Sequence, residues 1–464
     1  MNNIYCLEIE FSNIDFSSYY INGELEISTI HYAELCTKPD KIELKIFYDE
    51  KSCFDRKLGQ WLNTIDFKKF GSYLKIDLAE NDTNDHLQKI DLSETRLFAL
   101  LSSSDYYEEE HKYIILNIST VKFYFDSYPE KNNTAEFYLD EKGFRVSAPF
   151  YTAIHPTTFF KNDGQFQAIR MKDSEDFFKL DKSLFRPEFN FNVKDNKTNR
   201  EATIIKEPKI QFNYLNETTE KEALFYGDVV LMLASFYHHI KIDFTVRRIH
   251  LPSNTITIKN IENRNYIDRS GSLKGFGIDY SFNKFLKTSW QSETLKNYNL
   301  LSKAVTLFNQ SLIVDNASAF LIRYNIIEIC GKTNAEDSVW NFTIKNDELD
   351  TFFNKIKNNI CDIIDQKEQE YFDNKWISIL NIIKSKSLRK QLEDALTKNN
   401  INAKLLPIKT NKIVQLRNII THGSTEKIDV ELLNKANVLL YRICGILILN
   451  LMGNKDWKLN TEIN

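Results

Sequence analysis

The chain has 464 residues, of which 42% are hydrophobic, 13% aromatic and 27% charged, and its formal net charge is −4. This length allows two or three domains, and the apolar content excludes a disordered or fibrous protein. Six scattered cysteines form no Cys-x-x-Cys pair, so we expect buried free thiols rather than a disulfide framework.

The sequence shows no pattern typical of export or of a membrane span. Its first residues lack a charged region followed by an apolar run. The longest apolar segment, 443–452, is too short for a span and contains Asn450. We therefore expect a cytoplasmic protein with no membrane partner.

Residues 1–290 are predicted to form mainly half-buried antiparallel strands, because polar and apolar residues alternate in segments rich in Ile, Phe, Tyr and Val. These segments are 41–48, 73–78, 121–125, 209–214, 241–246 and 255–258. One helix over 220–240 interrupts them, with Thr218 or Thr219 as its cap. We place an N-terminal β-rich domain over 1–148 and a second β-rich segment over 149–290. The second segment can be continuous with the first.

Residues 291–464 are predicted to be all-helical, since the two-residue alternation ends near residue 290. The expected helices start at Ser292 or Glu293, at Asp315 or Asn316, near residues 347, 368 and 411, and at Asp429. Long amphipathic helices with short links indicate a bundle. The predicted fold class is therefore α+β multidomain, with an antiparallel, sandwich-like β region followed by an all-α bundle.

Charge is distributed unevenly along the chain. Residues 1–290 contain 37 Lys/Arg and 44 Asp/Glu, whereas residues 291–464 contain 23 and 20. Between residues 384 and 417, only Glu393 and Asp394 oppose nine cations: Lys384, Lys386, Arg389, Lys390, Lys398, Lys404, Lys409, Lys412 and Arg417. This segment would suit a phosphate-rich substrate, but it is also typical of a solvated helix face.

One motif carries the residue types of RNA cleavage: Arg417-Asn418-Ile-Ile-Thr-His422. Its helix should bury a stripe of isoleucine and leucine, while Asn418 and His422, four apart, share another face. An imidazole can take a proton from a 2′-hydroxyl near neutral pH, and a guanidinium matches phosphate oxygens. Equally, a basic residue and a histidine before Gly423 are ordinary features of a helix C-terminus.

The motif resembles the Arg-polar-x3-His motif of the HEPN superfamily, in which the residue after the arginine is typically Asn, Asp or His. The resemblance implies a HEPN-like bundle over 291–464 and a metal-independent endoribonuclease with no cofactor. In that function His422 is the general base or acid, Arg417 binds the phosphate and Asn418 orients them. It also implies a homodimer through the helical domain, because such domains place both motifs in one cleft.

The β-rich region is similar to the amino-terminal part of ApeA-like anti-phage defence proteins. The similarity lies in Ile21-Asn-Gly23-Glu-Leu25 and Asn133-Thr-Ala-Glu136-Phe-Tyr-Leu139. It implies an abortive-infection effector that cleaves RNA, such as tRNA or mRNA. In such an effector the β-rich region would sense a phage-derived trigger.

Other interpretations remain open. The helical domain can be a non-catalytic nucleotide- or protein-binding module, or a dimerisation tail on a β-rich carbohydrate- or peptide-recognition protein. Glu328 can pair with Arg417 or face solvent. The adjacent His238 and His239, with His250, are poor metal ligands, because neighbours on a helix point about 100° apart. We expect them in helix-end or core roles.

Overall fold

The structure is a computed structural model. It describes residues 5–10, 30–37, 41–48, 87–91, 97–100, 107–108, 111–127, 131–153, 169–170, 178–196, 201–261, 273–279, 281–331, 346–365, 367–373, 375–376, 387–423, 426, 428–459 and 461. The chain forms two compact units. The first comprises Met1–Ala234, Ile242–Asp268 and Ser281–Ser292, and the second comprises Ser235–Lys241, Arg269–Tyr280 and Glu293–Asn464.

The described residues of the first unit form three antiparallel sheets. The strands in chain order are β1 (Tyr5–Glu10), β2 (Ile30–Thr37), β3 (Ile42–Tyr48), β4 (Leu87–Asp91), β5 (Leu97–Leu100), β6 (Tyr107–Glu108), β7 (His111–Ile118), β8 (Thr120–Asp126), β9 (Thr134–Leu139), β10 (Tyr151–Ala153), β11 (Ile169–Arg170), β12 (Phe178–Leu180), β13 (Ser183–Asn196), β14 (Glu201–Tyr214), β15 (Phe244–His250) and β16 (Asn254–Asn260). One sheet has the order β1-β2-β3-β7-β5, with β6 beside β7, and β10 pairs β11.

The third sheet has eight strands in the order β12-β13-β14-β9-β15-β16-β8-β4. Strands from both predicted segments, 1–148 and 149–290, pair within this one sheet. Its core is aromatic: the ring of Phe137 lies 5.2 Å from Phe212 and 4.9 Å from Phe244 between centroids. A helix packs on this face, since a β-carbon at Gly227 would collide with the Phe137 ring.

The described residues also form α-helices. In chain order they are α1 (Phe144–Ser147), α2 (Glu220–His238), α3 (Phe282–Ser289), α4 (Ser292–Lys296), α5 (Tyr298–Gln310), α6 (Asn316–Gly331), α7 (Asn346–Cys361), α8 (Leu388–Lys398), α9 (Thr410–Thr421) and α10 (Val430–Leu451). The expected α+β class, with a β-rich region before a helical region, is confirmed.

In the second unit, helix α6 packs against α5, α8, α9 and α10. Arg323 of α6 fixes the packing, because its guanidinium donates to Ser311 Oγ at 3.1 Å and to Asn437 Oδ1 at 3.1 Å. Helix α10 is long and apolar enough to span a membrane, but 67% of its most apolar window is buried inside the protein. The core helix of a helical bundle can be equally long and apolar.

Three helices begin at caps that the sequence predicted, and the structure selects Thr219 and Asp315 from the alternatives. Thr219 and Glu222 bond reciprocally at the start of α2, over 3.0 and 3.2 Å. Asp315 accepts from the N–H groups of Ala317 and Ser318, and Asp429 accepts from that of Leu432. These contacts satisfy N–H groups that have no partner within the helix, which explains why the helices begin there.

Two expectations need correction. The helix predicted to start at Ser292 or Glu293 breaks at Asn297, whose side-chain amide donates to Leu451 O at 2.9 Å. The strand predicted over 241–246 begins only at Phe244. The predicted strand 73–78 and the segment Ile21–Leu25 lie outside the described residues.

Candidate functional site

Helix α9 holds the candidate site and is fixed along one face. Ile413 and Leu416 are buried, and the helix packs against α6 and α8. Thr410 at its first turn donates to Glu393 Oε1 at 2.8 Å. The predicted apolar stripe is therefore present, although Ile419 and Ile420 are only half-buried. This packing sets the rotation of the helix and the direction in which each polar residue points.

The helix ends at His422 through local backbone geometry. The N–H of His422 donates to Asn418 O at 3.0 Å, and that of Gly423 donates to Ile420 O at 3.1 Å. Gly423 has φ +73°, a left-handed conformation that glycine adopts without the steric cost of a β-carbon. His422 is the cap residue, with φ −89°, and its side chain is exposed.

Arg417 and Asn418 lie together. Arg417 Nη1 donates to Asn418 Oδ1 at 3.4 Å, a long bond, and Thr421 Oγ1 donates to Arg417 O at 2.7 Å. Arg417 is half-buried, whereas Asn418 is exposed like His422. Within the described residues, the imidazole of His422 is not hydrogen-bonded to either. The structure thus brings two of the three predicted site residues into direct contact and places the third on the same exposed helix end.

The flank of Arg417 faces helix α6. Burial raises the pKa of Tyr324 to about 12, and the charges of Glu328 and Arg417 act on the same phenol in opposite directions. Glu328 is half-buried. This exposure lies between the two alternatives, which are a pair with Arg417 and a position facing solvent. Tyr324 was not predicted from the sequence as a neighbour of the site. Its spacing of four residues before Glu328 on α6 could have suggested it.

The basic segment divides into two parts. Arg389 pairs with Glu393 at 2.8 Å and Lys390 with Asp394 at 3.0 Å, so the two acids are already neutralised. Three exposed cations form no ion pair among the described residues: Lys404, Lys409 and Lys412. Lys384 and Lys386 lie outside the described residues. The solvated-face interpretation therefore fits α8, while free cations lie at the start of α9.

The expected helix-end and core roles of the histidines fit the structure. His239 and His250 are buried, at 3% and 2% exposure, and His250 Nδ1 lies 3.0 Å from Thr255 Oγ1. Burial lowers the pKa of each to about 4. No group of three or more His, Cys, Asp or Glu side chains suited to a metal occurs in the described part of the chain.

Comparison with known proteins yields no match among protein-family models, curated proteins or solved structures.

Sequence reasoning missed two residues on the exposed face of α9. Asn411 and Gln415 precede Asn418 and His422 at spacings that place all four on one side of the helix, and all four are exposed. The i, i+4, i+7, i+11 spacing was available in the sequence.

Proposed function

We propose that this protein is a metal-independent endoribonuclease whose active site contains Arg417, Asn418 and His422. The observation that carries the proposal is the contact of Arg417 with Asn418 on the helix end where His422 is exposed. These groups supply a phosphate ligand, an orienting amide and an acid–base group. The proposal also rests on the resemblance of the motif to that of HEPN ribonucleases.

In the proposed reaction the 2′-oxygen of a ribose attacks the adjacent phosphorus. The bond from O2′ to phosphorus forms, the bond to O5′ breaks, and His422 takes the proton from O2′. The Arg417 guanidinium stabilises the negative charge that builds on the phosphate oxygens. A proton must also reach O5′, and a second copy of His422 in a shared cleft would supply it. The products are a 2′,3′-cyclic phosphate and a 5′-hydroxyl.

The proposed biological role is abortive-infection defence. We propose that the helical region forms the homodimer and that the β-rich region responds to a phage-derived trigger. A toxic ribonuclease must be restrained in uninfected cells, so the activity should rise on infection. The proposed RNA substrate is tRNA or mRNA.

The test is induced expression in bacteria, with and without phage, of the wild type, Arg417→Ala and His422→Ala. A matched control is Lys435→Ala, which removes only an exposed pair with Glu431 on α10. We expect growth arrest or phage protection from the wild type and the control alone. Cleaved RNA should carry cyclic phosphate ends. If folded site variants behave like the wild type in every assay, the proposal is wrong.

A non-catalytic nucleotide- or protein-binding module is the second candidate function. The observation that favours it is that His422 occupies an ordinary helix cap before a left-handed glycine. Under this alternative, Arg417→Ala weakens ligand binding, and no RNA is cleaved by the wild type under any condition.

A further inference from the structure

The exposed face of α9 is a continuous polar strip that leads to His422. It consists of Asn411, Gln415, Asn418 and His422, which we call the amide strip. Neither Asn411 nor Gln415 forms a side-chain hydrogen bond within the described residues, and both are exposed. The opposite face is held in the unit by Ile413 and Leu416. The strip is therefore presented to solvent on a fixed element.

The chemistry of the strip suits nucleotide bases. Each carboxamide presents a donor and an acceptor side by side, the arrangement that pairs with base edges. Residues 395–425 contain five Lys and Arg and no Asp or Glu, so no carboxylate of this segment repels a phosphate. Lys409 and Lys412 are exposed at the start of the strip. They can contact the phosphate backbone of a nucleic-acid strand whose bases lie on the strip.

The length of the amide strip fits an extended strand of RNA. Asn411 and His422 are eleven residues apart, which corresponds to about 16 Å along a helix. That distance covers a few nucleotides on one side of the phosphate at His422. Bases paired in a duplex would direct their Watson–Crick edges at each other, and the major groove of RNA is too narrow and deep for side chains.

We propose that Asn411 and Gln415 bind the bases of single-stranded RNA next to the scissile phosphate and so determine which sequences are cleaved. This inference rests on the proposed function for the role of His422, but the binding it describes can be measured without cleavage. A protein segment is the competing occupant of the strip. It would not need the cations at the start of the strip, Lys409 and Lys412.

The experiment measures RNA binding in the His422→Ala background, where cleavage cannot interfere. The probes are a short fluorescent single-stranded RNA of mixed sequence and the same RNA annealed to its complement. We expect Asn411→Ala with Gln415→Ala to weaken single-strand binding about tenfold or more, and the duplex to bind weakly in every variant. Asn358→Ala with Asn359→Ala, two exposed amides on α7, is the matched control and should leave binding unchanged.

Salt dependence separates the amides from the cations. Removing the amides should leave the slope of log Kd against log salt unchanged, because they carry no charge. Lys409→Ala with Lys412→Ala should reduce that slope by about 0.7 for each phosphate that the protein no longer neutralises. Unchanged single-strand binding in the amide variant, equal binding of duplex, or no RNA binding at all would overturn the proposal.

The results that would refute the ribonuclease proposal differ from those that would refute the proposal for the amide strip. If the amide strip governs single-strand binding but the wild type never cleaves RNA, only the proposed function fails. If the wild type cleaves and the amide variant keeps the same KM and the same cleavage sites, the strip proposal fails and the proposed function stands.

Discussion

Two helices end beside a histidine, and the two imidazoles have opposite surroundings. At the end of α2, His239 itself has φ +54° and is buried among Phe236, Phe276, Phe308 and Tyr441. At the end of α9, Gly423 has φ +73°, and His422 before it is exposed. The residue with a positive φ is the histidine itself at the end of α2, but it is the glycine after the histidine at the end of α9. The first histidine is a core residue, and the second is exposed.

The surroundings of His239 restrict its ionisation. Its Nδ1 lies 3.4 Å from the Tyr441 hydroxyl, and its Nε2 has no hydrogen-bond partner among the described residues. Burial lowers its pKa to about 4, because a charge surrounded by aromatic rings loses its hydration. His239 is therefore a neutral structural residue, whereas the side chain of His422 is exposed to solvent.

The largest expected effect comes from replacing the exposed histidine. His422→Ala should lower RNA cleavage by about 10²–10⁴-fold, the range for loss of a general acid or base. The free energy of unfolding should change by less than about 0.5 kcal/mol, because the side chain is exposed. Steady-state cleavage and urea unfolding measured together check both statements. A large loss of stability would mean that His422 is structural, as His239 is.

The second effect concerns the buried histidine and pH. An unfolded histidine titrates near ~6.5, and folding lowers the pKa of His239 to about 4. As the pH falls below ~6.5, the unfolded chain binds a proton first, and the contribution of His239 should lower the free energy of unfolding by about 2 kcal/mol at pH ~5 relative to neutral pH. The loss should level off below about 4, where the folded state is protonated as well.

His239→Asn isolates this contribution, because asparagine tolerates a positive φ. His250 is unchanged in both proteins, so the difference between their pH dependences belongs to His239. Urea unfolding at neutral and acidic pH gives the comparison. The same pH dependence in both proteins would show that His239 does not stay neutral in the fold.

The smallest effect tests the glycine that follows His422. Gly423→Ala should cost about 1 kcal/mol, since alanine is strained at a positive φ. A β-carbon there would have no neighbour within 4 Å, so the cost comes from the backbone alone. Thermal unfolding measures it, and Gly423→Asn should cost less. An alanine variant as stable as the wild type would remove the role given to Gly423.

Local sequence signals predicted where several helices begin. Caps were recognisable at Thr218 or Thr219, at Asp315 or Asn316, and at Asp429, because a cap acts on N–H groups two or three residues away. The break at Asn297 was not predictable, since its cause is a hydrogen bond to Leu451, far along the chain. Sheet order was beyond reach for the same reason: β8 pairs with β16, and alternation identifies a strand but not its partner.

The candidate site was predictable in part. The contact between Arg417 and Asn418 follows from adjacency and a long side chain, and Gly423 indicates the helix end at which His422 lies. The influence of Arg417 on Tyr324 depends on how α6 packs against α9, which helical periodicity does not specify. The sequence therefore indicated the chemical groups, and the packing determined which neighbours surround them.

The most direct measurement is cleavage of single-stranded RNA, in the presence of a chelator, by the protein purified from phage-infected cells, with analysis of the product ends. We expect 2′,3′-cyclic phosphate and 5′-hydroxyl ends from the wild type and at least about 10²-fold less product from His422→Ala and Arg417→Ala. If the chelator abolishes cleavage, or if folded site variants yield the same products as the wild type, the ribonuclease account is contradicted.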